Sequence, residues 1–149
     1  GEGYQLESSL RMLIPALISD IDGTVAIRSG RKPFEWSRLD EDLPNNEIID
    51  IISRIAQSGL HIIFISGREE RYRSDTESWL KRHVPFQFEM FCRKNEDYRK
   101  DSVIKQEIYL EQIQTRFKII AVMDDRDQVV RMWRDALGLT CLQVNWGNF

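Results

Sequence analysis

The chain has 149 residues, 42% of them hydrophobic and 30% charged, with a formal net charge of −3. A chain of this length folds as one domain and buries about 70% of its unfolded surface without staples, and the mix is that of an ordinary globular protein. Its longest uncharged apolar runs, 12–19 and 60–66, fall well short of the ~20 residues of a membrane span, no signal-peptide pattern opens the chain, and the acidic balance excludes a protein that coats duplex nucleic acid.

Residues 1–10 show no clear period, and 1–12 read as a tail or linker; the single domain is expected over 13–149. Ala16 to Ser19 is a short buried strand ending at Asp20. Residues 28–43 are polar, contain Gly30 and Pro33, and read as a small flap above that strand's end. Ile48, Ile51, Ile52 and Ile55 mark one face of a helix over 46–58, with Asn45 or Asn46 as its cap and Gly59 as its stop. Leu60 to Ile65 is a second buried strand. A helix over 74–83 follows, with Ser74 and Glu77 at capping-box spacing. Phe86 to Cys92 reads as a strand, 101–117 as a helix, and Lys118 to Met123 as a strand. Val129, Met132, Trp133, Ala136 and Leu137 share one face of a helix over 127–137, before a last strand over 140–144. Cys92 and Cys141 both lie in apolar runs, too few for a disulfide framework, and point to reduced thiols in a cytoplasmic, intracellular protein. Apolar strands alternating with helices predict an α/β fold, a doubly wound parallel sheet with helices on both faces.

Ligands bind such sheets beyond the carboxyl ends of the strands, so the residues following each strand carry the chemistry. After the first comes Asp20-Ile21-Asp22-Gly23-Thr24, after the second Ser66-Gly67-Arg68, and after the strand ending at Met123 comes Asp124-Asp125-Arg126. Lys100, Asp101 and Lys105 open the helix between them. Residues two apart on an extended segment project to one side, so Asp20 and Asp22 both face the rim. Two carboxylates this close call for a cation or a shared proton, and Asp124 and Asp125 add oxygen ligands of the kind Mg²⁺ takes. Read blandly, D-x-D-G-T is a strand end and a turn, Ser-Gly a strand-to-helix turn, and Asp101 with Lys105 an i, i+4 ion pair. A second Asp pair at the same rim favours the functional reading.

In this order, Asp20-Ile21-Asp22-Gly23-Thr24, Ser66, Lys105 and Asp124-Asp125 resemble the four motifs of the haloacid dehalogenase superfamily. The longer strings around Gly30-Arg31, Ile65 to Glu69, Arg99 to Lys105 and Asp124 to Arg134 are similar to the 3′-phosphatase domain of phage-type polynucleotide kinase/phosphatases. The resemblance spans residue 18 to the C-terminus and implies a haloacid dehalogenase-like, Rossmann-like fold with a small flap instead of a cap domain. It further implies Asp20 as nucleophile, Asp22 as general acid and base, and Arg31, Ser66, Arg68, Asp101 and Lys105 completing the site. Magnesium would be held by the Asp20 carboxylate, the Asp22 backbone carbonyl and an acid of the Asp124/Asp125 pair. The implied substrate is a 3′-phosphorylated DNA or RNA end. A kinase domain in a longer parent protein, a homo-oligomer and a phage-encoded source stay open. The chain has no G-x-x-x-x-G-K-[ST], so kinase activity is not expected from it.

Two other readings compete. One is a small-molecule phosphatase of the same superfamily; the other is a catalytically silent nucleic-acid-binding or assembly module, against which the intact Asp20/Asp22 pair argues. Trp133 reads as core, and Trp36 either packs the flap or stacks on a terminal base. His61 reads as a core or edge residue, His83 as favoured by a helix end, and Trp146 and Phe149 carry no assignment.

Overall fold

A computed structural model describes residues 12–149. The tail expected over 1–12 lies outside the described residues, except for its last. Seven strands and four α-helices follow in the order β1 Ile14–Ser19, β2 Ala26–Ile27, β3 Leu43–Pro44, α1 Asn46–Gln57, β4 His61–Glu69, α2 Arg73–His83, β5 Glu89–Arg93, α3 Asp101–Ile108, β6 Phe117–Asp124, α4 Asp127–Arg131 and β7 Cys141–Gln143. Five strands form one parallel sheet in the order β5-β4-β1-β6-β7. The chain starts at the centre, builds outward through β4 and β5, then returns to the other flank for β6 and β7. The switch point therefore lies at the end of β1, beside Asp20.

Alternation along the central strands divides the core in two. Ala16 and Ile18 of β1 and Ile63 and Ile65 of β4 face α3 and α4, packing on Ile104, Ile108, Val129 and Trp133. Leu17, Ile62 and Phe64 face α1 and α2, packing on Ile49, Ile52, Trp79 and Leu80. Helices thus cover both faces, as the unbroken apolar strands require.

The sequence reading and the structure differ at several elements. On α1 the buried face is Ile49 and Ile52, with Ile48 and Ile55 beside it, while Ile51 points to solvent. Asn45 precedes α1 without capping it; its amide donates to the Thr24 carbonyl instead. The 74–83 helix starts at Arg73 with no side-chain cap, so the capping box is not used. The helix expected over 101–117 ends at Ile108, continues as one π-helical turn over Tyr109–Ile113, and Phe117 already belongs to β6. The strand expected to stop at Ile65 runs on to Glu69. The flap holds a 3₁₀ turn, Trp36–Glu41, and its ends are tied by the antiparallel β2–β3 pair. His83 packs on Trp79, and burial together with Arg82 lowers its pKa.

Candidate active site

The carboxyl ends of β1, β4 and β6, the start of α3 and the flap close around one cavity of about 540 Å³. Asp20, Asp22, Asp101, Asp124 and Asp125 all line it. Asp20 follows the last residue of β1 and is anchored by its N–H to the Met123 carbonyl of β6, 2.9 Å away. Gly23 then turns the chain with φ +82°, and a Cβ there would lie 2.1 Å from an Asp125 carboxylate oxygen. Only glycine meets both demands. This packing brings the first and last acidic motifs into contact.

Lys105 is the electrostatic centre. Its Nζ donates to Asp20 Oδ1 at 2.9 Å and to Asp124 Oδ2 at 3.0 Å, and lies 3.5 Å from Asp101 Oδ2. These partners hold the buried ammonium charged against its desolvation, well above the usual lysine range. The i, i+4 pair with Asp101 exists, but inside the protein rather than on a solvated face. Asp124 is held from within: its Oδ1 accepts the Asp125 N–H at 2.9 Å, and its Oδ2 also accepts the Trp133 indole N–H at 3.2 Å. Trp133 is thus core, as expected, and also orients an acid of the site.

One carboxylate oxygen each from Asp20, Asp124 and Asp125 lie within 4.8 Å of one another, and all three residues are buried. Burial and the neighbouring Asp124 push the Asp20 carboxyl well up; burial also raises Asp125. One lysine does not balance this group of acids. Hard oxygen donors at this spacing suit a hard divalent cation, and Mg²⁺ fits the set. The Asp22 side chain stands outside this triad.

Asp22 instead meets Arg68, whose Nε and Nη2 donate to its two carboxylate oxygens at 2.9 and 2.6 Å. The extension of β4 explains how. Ser66 pairs with Cys92 and Glu69 with Arg93, so Gly67 and Arg68 bulge between consecutive rungs and the guanidinium swings toward β1. Ser66 lies beneath, its hydroxyl accepting the Arg68 N–H at 3.0 Å. Arg68 also donates to Thr76 at 3.1 Å and to Asp42 at 3.3 Å.

Asp42 escapes sequence reasoning. Its buried carboxylate takes a two-point fork from Arg31, at 2.7 and 2.9 Å, as well as the contact from Arg68. Arg31, expected to complete the site from the flap, is buried here. Its remaining contacts are the carbonyls of Lys32 and Pro33, with one nitrogen 3.6 Å from Asp22. Trp36 roofs both guanidinium groups, its ring centre 5.0 Å from Arg31 Cζ and 5.5 Å from Arg68 Cζ, and packs on Tyr72. Trp36 thus packs the flap down. Thr24, given no role by the sequence, points its hydroxyl at Asp20 Oδ2, 3.4 Å away.

An acid pair at the switch point of a parallel α/β sheet, a buried lysine bridging it to a second acid pair, and a flap in place of a cap define a haloacid dehalogenase-type phosphatase. Solved structures agree on the fold: the class C acid phosphatase of Bacillus anthracis aligns over 99% of this chain and 73% of its own, with TM-score 0.61 at 17% identity. Residues 14–149 match the polynucleotide kinase PNKP phosphatase domain, and the chain belongs to that family. A chain of the Pnkp1/Rnl/Hen1 RNA repair complex is 42% identical, with TM-score 0.86, over 92% of this chain and 44% of its own. A protein of Autographa californica nuclear polyhedrosis virus named as a bifunctional polynucleotide kinase/RNA ligase is 31% identical over 123 residues, 80% of this chain and 18% of that protein. The chain therefore spans less than half the length of these last two relatives.

Proposed function

We propose that this domain removes 3′-phosphates from DNA or RNA ends through an aspartyl-phosphate intermediate. One observation carries the reading: Asp20 and the Asp124/Asp125 pair meet on the lining of a single cavity, with the buried Lys105 bonded to Asp20 and Asp124 and with Asp22 two residues from Asp20 on the same lining. In this reading an Asp20 oxygen attacks phosphorus, the bond from phosphorus to the 3′ oxygen breaks, and Asp22 gives that oxygen its proton. Asp22 then takes a proton from water as the water attacks phosphorus, and the bond from phosphorus to Asp20 breaks to release phosphate. The Arg68 fork fixes Asp22 for both transfers, while Asp42 and Arg31 fix Arg68. Lys105 holds Asp20 in place. Asp20, Asp124 and Asp125 would hold Mg²⁺, joined by the Asp22 backbone carbonyl, and the ion would supply charge stabilisation for the phosphoryl group.

We also read residues 13–149 as the phosphatase domain of a longer parent, with a kinase or ligase domain as its covalent partner. The lengths and names of the relatives support this. Among the described residues no helix is long and apolar enough to cross a membrane.

The deciding measurement is kcat/KM for one short oligonucleotide carrying its phosphate at the 3′ or at the 5′ end. A strong preference for the 3′ end is expected, with Asp20→Asn inactive on both. Equal values would overturn the polynucleotide 3′ assignment and leave a generic phosphatase.

A further inference from the structure

The acids account for the floor of the cavity but not for its mouth. Three exposed aromatic side chains line the opening: Phe34 from the flap, 85% exposed; Tyr98 from the 94–100 loop, 81% exposed; and Phe149, 64% exposed. An isolated exposed aromatic is ordinary. Three line one polar cavity, beside a charged site.

The loop that presents Tyr98 is heavily built. Arg93 runs beneath it, donating to the carbonyls of Gly67, Asp97 and Arg99. Arg99 forks onto both Asp97 and Glu107. The Asn95 side chain accepts the Arg71 N–H, and the Glu96 N–H is held by Glu69. Glu96 itself takes a left-handed φ of +62°, a conformation that costs free energy for a non-glycine residue. A loop tied at this many points has little freedom, yet the side chain at its tip is left in water.

The same contacts engage the arginines at the mouth. Arg93 and Arg99 are committed to carbonyls and carboxylates, and Arg126 donates to the Phe149 carbonyl with its guanidinium 5.5 Å from that ring. Net charge is −3. The entrance therefore offers π-faces among arginines already engaged within the protein, with Lys100 as the further cation on the lining. A polynucleotide end has two features to grasp, phosphate charge and base planes, and this mouth matches the second. Base stacking on aromatic rings also tolerates any sequence, because every base has a π-face.

We propose that Tyr98 and Phe34 form a stacking platform for the bases of the last nucleotides of a single-stranded 3′ end, with Phe149 extending it. The platform rests on the polynucleotide-end reading above and specifies how the strand behind the phosphate is held.

The test compares kcat/KM for a short single-stranded 3′-phosphate oligonucleotide carrying normal bases with the same strand carrying abasic units at its last two positions. Wild type should prefer the normal strand by about tenfold or more, the order expected for one or two stacked bases. Tyr98→Ala and Phe34→Ala should lose most of that preference by slowing only on the normal strand, and Tyr98→Phe should keep it. Equal wild-type values for the two strands, or a Tyr98→Ala loss of the same size on both, would overturn the platform while leaving the 3′-phosphatase reading standing. Hydrolysis of neither strand would instead overturn that underlying reading.

Discussion

Asp42 holds two guanidinium groups with one carboxylate, and neither it nor its two arginines has appreciable contact with water. Removing one partner of a buried ion pair leaves the other desolvated and costs about 3–5 kcal/mol. Arg31 retains two carbonyl partners and Arg68 retains Asp22, so Asp42→Ala should fall at the lower end, about 3 kcal/mol, in urea denaturation. Activity should fall with it, because Arg68 orients Asp22. A variant with wild-type stability would remove Asp42 from this role. The two thiols give a second residue-scale prediction. Burial lifts both Cys92 and Cys141 to about 11, and only the thiolate is nucleophilic. Native protein at pH 7.5 should take up iodoacetamide very slowly at both, and quickly once unfolded in urea; rapid labelling of either thiol in the native state would refute this. The thiol state is legible from apolar neighbours in the sequence, whereas Asp42 is not. Its partners lie eleven residues before it and twenty-six after it, and no local period encodes such a contact.

At the scale of elements, the strands are readable and their ends are not. Ile62 to Ile65 are four consecutive buried apolar residues, which only a strand covered on both faces needs. The polarity of Ser66 to Glu69 hides the fact that pairing continues past a bulge. Helix α3 misleads in the opposite direction. Ile104 and Ile108 fit a helical period, but Ile113 follows Ile108 by five, the step of a π turn. Phe117 falls four further on and is buried in β6 rather than in the helix. No glycine or proline marks the break. The bulge also explains Gly67: a Cβ there would lie 2.4 Å from Asp101 Oδ1. Gly67→Ala should push the Asp101 carboxylate from its place beside Lys105. Misplacement of about 1 Å can cost about a hundredfold in rate, so kcat should drop by that order while the far-UV circular dichroism stays unchanged. A wild-type kcat would show that this packing does not hold Asp101.

At the scale of the whole molecule, the site exists because strand order brings together chain segments more than eighty residues apart. Asp20 at the centre of the sheet meets Lys105 from one helix and Asp124 from the neighbouring strand. That convergence is legible from motif order, since the rim of a parallel sheet collects whatever follows its strands. The counter-charge is a different matter: Asp20, Asp101, Asp124 and Asp125 gather around a single lysine, so folding concentrates excess negative charge in a buried place. The apolar core on both sheet faces supports the fold against this repulsion, so chelation should leave the chain folded. An ion that binds only the folded arrangement stabilises it by mass action, by about 2.7 kcal/mol at a hundred times its Kd, or roughly 5–10 °C in Tm for a domain of this size. Mg²⁺ should therefore raise Tm over that measured in EDTA, independently of any turnover. Asp125→Asn removes one ligand and one repulsive charge together. Its Tm in EDTA should equal or exceed that of wild type, and its gain from Mg²⁺ should largely vanish. Scanning calorimetry of both proteins in EDTA and in millimolar Mg²⁺ reads the two effects separately. A wild-type Tm that does not respond to Mg²⁺ would mean that the three carboxylates do not hold the ion.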